Sequence, residues 1–112
     1  MKYTESLKKT FEFRKVYNKG TSIANRLLVM YILKNEKSYN RLGISVSKKV
    51  GNSVIRSRIT RLIRESYRLQ EEKIQVGYDI VIIARHTAKN ATYCQVDSAV
   101  THLIKKHRIQ KK

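Results

Sequence analysis

A single-domain mixed α/β (α+β) fold, one layer of sheet with helices packed on it, is predicted by three features of this chain. First, Leu27–Leu33 and Asp79–Ala84 are continuous apolar runs rich in β-branched residues and too short for typical core helices. Second, Arg41–Ser47 alternates, so that Leu42, Ile44 and Val46 point to one face of a strand. Third, a run of helical period lies between Arg41–Ser47 and Asp79–Ala84, and strand–helix–strand order implies that those two strands pair in parallel. The length of 112 residues suits one domain, and 41% hydrophobic residues supply a core.

The elements follow in order. Residues 1–9 read as a mobile or extended basic arm, and residues 107–112 as a mobile basic end. Thr10 is placed to cap a short helix through Lys19, with Gly20 as its stop. Phe13, Val16 and Tyr17 share one face of that helix. A further short strand is expected at Thr21–Asn25, before the apolar run. Lys34–Asn40 is polar and turn-like, and Lys48–Asn52 is a loop with two cations and a glycine. The helix that follows spans Asn52–Arg68. Gly77 marks a turn within Gln75–Tyr78, and Asp79–Ala84, apolar on both faces, suits the centre of a sheet. Thr92 with Gln95 three residues on forms a capping box. The last helix sets Val96, Ala99, Val100, Leu103 and Ile104 at core spacing.

Charge narrows the class of partner. The chain carries 25 basic against 8 acidic residues, a formal net charge of +17, distributed from Lys2 to Lys112. A folded protein this basic calls for a polyanion, with nucleic acid the default and an anionic membrane surface the competitor. No apolar run is long enough to span a bilayer, and no basic helix has the bulky apolar face that interfacial binding prefers. The single cysteine, Cys94, cannot form an internal disulfide, and nothing at the N-terminus reads as a signal peptide, so a cytoplasmic location is expected. Cys94 is expected to be a semi-buried spectator. His86, His102 and His107 lack ligand-like spacing with it, and His102 and His107 read as surface residues. The fold is expected to need no metal. No carboxylate pair, phosphate-binding glycine loop or activated serine is visible, so no catalytic residue is assigned and the chain reads as a binding module.

The helix over Asn52–Arg68 has two faces. At about 100° per residue, Ile55, Ile59, Leu62, Ile63 and Leu69 fall in an arc of roughly 120°. Ser57, Arg61, Arg64 and Arg68 line the far side, while Arg56 and Arg58 flank the apolar arc from opposite edges. Guanidinium groups match phosphate bidentately and stack on bases, which lysine does not do. A solvated basic face is the ordinary fate of such a run. The aromatics weigh against that reading. Phe13 and Tyr17 lie one turn apart, Tyr31 is mid-strand, and Lys9, Arg14, Lys15, Lys19 and Arg26 surround them in sequence. These rings are either core or a platform on which unpaired nucleotides stack.

Five segments together resemble the protein subunit of bacterial ribonuclease P. They are Lys8-Lys9-x-x-x-Phe13-x-x-Val16-Tyr17-x-x-Gly20, Ser22-x-Ala24-Asn25-Arg26, Arg41-Leu-Gly-Ile-Ser-Val-Ser-Lys-Lys-Val-Gly-Asn52, Arg56-Ser-Arg-Ile-Thr-Arg-Leu-Ile-Arg64 and Asp79-Ile-Val-Ile-Ile-Ala-Arg85. The resemblance is collinear from Lys8 to Leu103. It implies an αβββαβα sandwich with a left-handed βαβ crossover around the arginine helix, shared with a small-subunit ribosomal protein and an elongation-factor domain. It also implies a role as cofactor to a catalytic RNA, which with bound magnesium removes the 5′ leader from precursor tRNA.

Carried over position by position, Arg56, Arg58, Arg61 and Arg64 take the helix roles toward the ribonuclease P RNA, with Lys48 and Lys49 beside them in the basic loop. Arg68 joins this set by its place on the same helix face. Phe13, Tyr17 and Tyr31 take leader-cleft positions, with Lys9 and Arg14 as neighbouring cations. The implied complex has one protein per RNA, with precursor tRNA as second partner, and magnesium held by RNA and substrate. Two helix positions depart from the family pattern: Ser57 stands in place of asparagine and Thr60 in place of lysine. The segment Arg85–Lys89 lacks the usual proline. The competing reading, a ribosomal or RNA-chaperone protein without enzymatic assembly, shares the composition but not the central block.

Overall fold

The computed structural model describes residues 1–112. The elements are β1 (Thr4–Ser6), α1 (Thr10–Lys19), β2 (Thr21–Ala24), β3 (Leu28–Lys34), β4 (Asn40–Ser45), α2 (Ser53–Gln70), β5 (Tyr78–Ala84) and α3 (Tyr93–Lys106). Short 3₁₀ turns follow α2 at Glu71–Lys73 and β5 at His86–Ala88. From α1 onward the order is the expected αβββαβα, with β1 as an addition. The five strands form one sheet in the order β1-β4-β5-β3-β2. As expected, β5 is central, and it runs parallel to β4 and antiparallel to β3.

Period-two alternation explains the layering. On β3 and β5, Leu28, Met30, Ile80, Ile82 and Ala84 face the larger core, which contains Ile59 and Ile63 of α2 and Val96, Val100, Leu103 and Ile104 of α3. The intervening Tyr31, Leu33, Val81 and Ile83 face Val16 and Phe13 of α1 and Leu7. The sheet therefore separates α1 on one side from α2 and α3 on the other.

Several expectations are corrected. Residues 1–9 are extended but not free: β1 pairs in parallel with β4, and the carboxylate of Glu71 accepts from the backbone of Lys2 and Tyr3 at 3.1 and 3.2 Å. At the other end Ile109 is buried and Gln110 bridges to Ile74. Lys9, not Thr10, is the N-cap of α1, and the Glu12 carboxylate accepts from the Lys9 amide at 2.9 Å. Gly20 ends that helix in an extended conformation, and proximity is what demands glycine. A Cβ there would lie 2.5 Å from the Val16 carbonyl oxygen and 2.7 Å from that of Ile32.

The buried arc of α2 is also rotated from the expected one. Leu69 is 61% exposed, whereas Ser66 and Tyr67 are fully buried. Tyr67 reaches the sheet edge, where its hydroxyl meets Thr4 Oγ1 at 2.9 Å and Asn40 Nδ2 at 3.4 Å. Ser66 faces α3 and donates to Asp97 at 2.7 Å. Cys94 is exposed. His102 is exposed as expected, but His107 is half-buried, with Nε2 2.8 Å from the Met30 carbonyl oxygen. Burial pushes the His107 imidazole below its ordinary pKa.

Candidate nucleic-acid interface

The basic surface is built on α2, whose start is set by Asn52, its side chain accepting from the Ile55 amide at 3.0 Å. Burial of Ile59, Ile63 and Tyr67 turns Arg61, Arg64 and Arg68 to solvent. The two arginines at the edges differ from these. Arg58 is half-buried and donates to the Ala91 carbonyl at 2.8 Å, which ties α2 to the loop before α3. Arg56 is half-buried too, and its Nε has no protein partner. Arg68 pairs with Glu65 one turn back, an exposed contact that contributes little. Ser57 is exposed, while Thr60 donates to the Arg56 carbonyl at 2.9 Å within the helix. Ahead of α2, buried Val50 anchors the loop and leaves Lys48 and Lys49 exposed.

On the other side of the sheet the three aromatics come together as expected. The Phe13 and Tyr17 ring centroids are 6.4 Å apart. Those of Tyr17 and Tyr31 are 5.1 Å apart and edge-on, within the range of attractive aromatic pairs. Phe13 is half-buried because β4 offers it a seat: a Cβ on Gly43 would come within 2.5 Å of the Phe13 ring. Tyr17 is 37% exposed and Tyr31 half-buried, so this edge-on pair remains accessible. Partial burial raises the Tyr17 phenol above its ordinary pKa, offset in part by the neighbouring Ser45 side chain. Lys9 and Arg14 are exposed on α1.

The sheet edge joins the two surfaces. A cleft of about 800 Å³, lined by Thr4, Glu5 and Ser6 of β1, opens beside Gly43 and Ile44. Phe13 lines it on the α1 side, and Arg58, Arg61, Arg64 and Arg68 line it on the α2 side. Arg56, Lys48, Lys49, Tyr17 and Tyr31 lie outside this cleft.

A polar clamp missed in the sequence holds α1 in place. Arg41 on β4 reaches Asp79 through Nε at 2.8 Å and Nη2 at 2.6 Å, and Glu12 of α1 through Nη1 at 2.6 Å. Burial alone would raise the Asp79 carboxyl, but Arg41 and Asn35 overcome this and hold it below its ordinary value. Glu12 is lowered chiefly by the Lys9 and Lys8 amides. Spacing gave no sign of the clamp, since its members are 29 and 38 residues from Arg41.

The carboxylates are largely committed: Glu12 and Asp79 to Arg41, Glu65 to Arg68, Glu71 to the N-terminal backbone and Asp97 to Ser66. Such a donor set does not form the oxygen cage that a hard cation needs.

Comparison with known proteins agrees with this fold. The family model for ribonuclease P matches residues 1–108. A ribonuclease P protein component from Alkaliphilus metalliredigens is 54% identical over 109 residues, covering 97% of this chain and 98% of the relative. One from Lachnoclostridium phytofermentans is 58% identical over 106 residues, covering 95% and 91%. Among solved structures, the Staphylococcus aureus RNase P protein superposes with a TM-score of 0.88 at 41% identity, covering 95% of this chain and 97% of that one. The Thermotoga maritima RNase P protein gives 0.84 at 30% identity, covering 91% and 96%. The chain belongs to the ribonuclease P protein component family.

Proposed function

We propose that this chain is the protein subunit of a ribonuclease P ribonucleoprotein that removes the 5′ leader from precursor tRNA, acting through affinity and electrostatics while the RNA performs the cleavage. The observation that carries this reading is the division of labour across the sheet: an arginine fork on the exposed face of α2, and an accessible aromatic pair beneath α1. Arg61, Arg64 and Arg68, with Arg56, Arg58, Lys48 and Lys49, bind phosphates of the ribonuclease P RNA. Tyr17 and Tyr31, with Phe13 as the inner wall, stack unpaired bases of the leader, and Lys9 and Arg14 neutralise its phosphates. Stacking accepts every base, which suits leaders whose sequences differ among precursors.

Magnesium belongs to the RNA and its substrate in this reading, since five of the protein's eight carboxylates are engaged in its own structure. The protein's cations lower the repulsion between RNA and substrate, so less metal is needed for the two to meet. One protein per RNA and a cytoplasmic location complete the proposal. No helix of the chain is long and apolar enough to cross a membrane. The test is reconstitution with ribonuclease P RNA. Leader removal at low magnesium should require the protein, and equal cleavage with and without it would reject the reading.

A further inference from the structure

A second cleft of about 1010 Å³ lies between the turn from β2 to β3, the loop after β5 and the start of α3. Its volume falls at the upper end of the roughly 300–1,000 Å³ typical of small-molecule sites, ample for a nucleotide. The lining differs from that of the first cleft in one chemical respect. Glu5 and Glu65 line the first, whereas no carboxylate lines the second. Arg26 and Lys89 supply its cations, and neither takes part in any of the three ion pairs of the chain.

The walls are rigidly joined. Arg85 donates to the Asn25 carbonyl at 2.7 Å, and Thr87 donates to that of Arg26. The Asn25 side-chain oxygen accepts from the Leu27 and Leu28 amides at 3.2 and 2.9 Å, which fixes the orientation of its amide group. The Asn25 nitrogen must then donate, to Ala99 at 3.0 Å and to His102 Nδ1 at 3.2 Å. The His102 proton consequently sits on Nε2, which remains a donor at the cleft wall. The floor meets the arginine surface directly, because Ala91, which lines this cleft, is the residue whose carbonyl holds Arg58.

We propose that this cleft is a third RNA-binding site, which holds the phosphodiester backbone of an unpaired RNA segment that continues past Arg58 from the arginine face. Arg26 and Lys89 neutralise its phosphates, and His102 Nε2 donates to a phosphate or ribose oxygen. The proposal rests on the reading of the chain as an RNA-binding subunit, and either the catalytic RNA or the precursor could supply the strand.

Cys94 provides the test, since it lines the cleft, is exposed and is the only cysteine of the chain. Its alkylation rate by iodoacetamide is measured for the full protein alone, with ribonuclease P RNA, and with RNA plus precursor tRNA, assembly being verified independently by binding. Protection on adding the RNA alone assigns the strand to the catalytic RNA, and protection that appears only with precursor assigns it to the substrate. Arg26→Ala with Lys89→Ala should abolish either protection and reduce the slope of log K against log salt by roughly 2, about one for each phosphate that is no longer neutralised. Unchanged alkylation in a complex that assembles and cleaves overturns this site while leaving the proposed function standing. Protection undiminished in the double variant overturns it as well, because RNA then passes the thiol without being held by the cleft. Failure to assemble at all rejects the underlying RNA-binding reading instead.

Discussion

The two faces of the sheet solve opposite problems with different side chains. On the α2 side a helix is anchored by Ile59, Ile63 and Tyr67, which leaves Arg61 and Arg64 exposed on its far side. On the α1 side the functional candidates are themselves part of the packing: Phe13 rests on Gly43, and Tyr17 meets Tyr31 edge-on. The first arrangement separates stability from binding, and the second couples them. Substitutions on the two faces should therefore fail in different ways.

The largest effect is expected at the anchor of the arginine helix. Ile59→Ala leaves a void in the major core and should cost about 2–5 kcal/mol of folding stability. A thermal or urea melt measures it, and an unchanged midpoint would mean that α2 is not held as described. Next come Arg61→Ala and Arg64→Ala. Each should weaken binding to ribonuclease P RNA by about 1–3 kcal/mol while the melt stays unchanged, because neither side chain contributes core volume. Arg58→Ala should do both, weakening RNA binding and lowering the melting temperature, since Arg58 also holds the Ala91 carbonyl. An Arg58 variant that melts like Arg61→Ala would show that this hydrogen bond adds nothing to stability.

Acid should act on the α1 side first. The Asp79 carboxyl is lowered in the folded chain, so the stability it contributes is fully present above its unfolded pKa and is lost as pH falls through the lower folded value. Melts of wild type should drop as pH falls below about 4. In Asp79→Asn, already weaker at neutral pH, the drop should be shallower. Identical acid profiles would show that the Arg41 clamp carries no such linkage. Salt should act on the arginine face instead: log K for ribonuclease P RNA should fall by roughly 0.7–0.9 per phosphate neutralised for each tenfold rise in salt. A flat titration would contradict a phosphate-dominated interface.

Much of this organisation was legible in the sequence because it depends on local period. Apolar runs gave β3 and β5, alternation gave β4, and 3.6-residue spacing gave the arginine face and the core side of α3. The Thr92–Gln95 box is present in the structure, each side chain accepting from the other residue's backbone. What stayed hidden depends on partners distant in the chain. The strand at Thr4–Ser6 is polar and has no pattern of its own, since pairing with β4 and the Glu71 carboxylate are what order it. Leu69 and Tyr67 exchange places relative to a simple apolar arc because Tyr67 finds hydrogen-bond partners at the sheet edge. The Arg41 clamp reads as scattered charge until the fold brings Glu12 and Asp79 together. As for the candidate site, the exposure of Arg61, Arg64 and Arg68 and the meeting of Phe13, Tyr17 and Tyr31 were legible, but the continuity of Phe13 with the arginine cleft was not.

The central claim is that the sheet keeps two RNA functions apart, with the catalytic RNA on the α2 side and the leader under α1. Its most direct test is the affinity of the reconstituted enzyme for precursor tRNA with a leader of several nucleotides and for mature tRNA, with wild type and Tyr31→Ala compared. Loss of one stacking surface should weaken precursor binding by about 1–3 kcal/mol and leave mature tRNA binding and assembly with the RNA unchanged. Because Tyr31 is also part of the packing, a lower melting temperature is expected either way, and equal weakening toward both ligands is the result that would contradict the account and return these aromatics to the core.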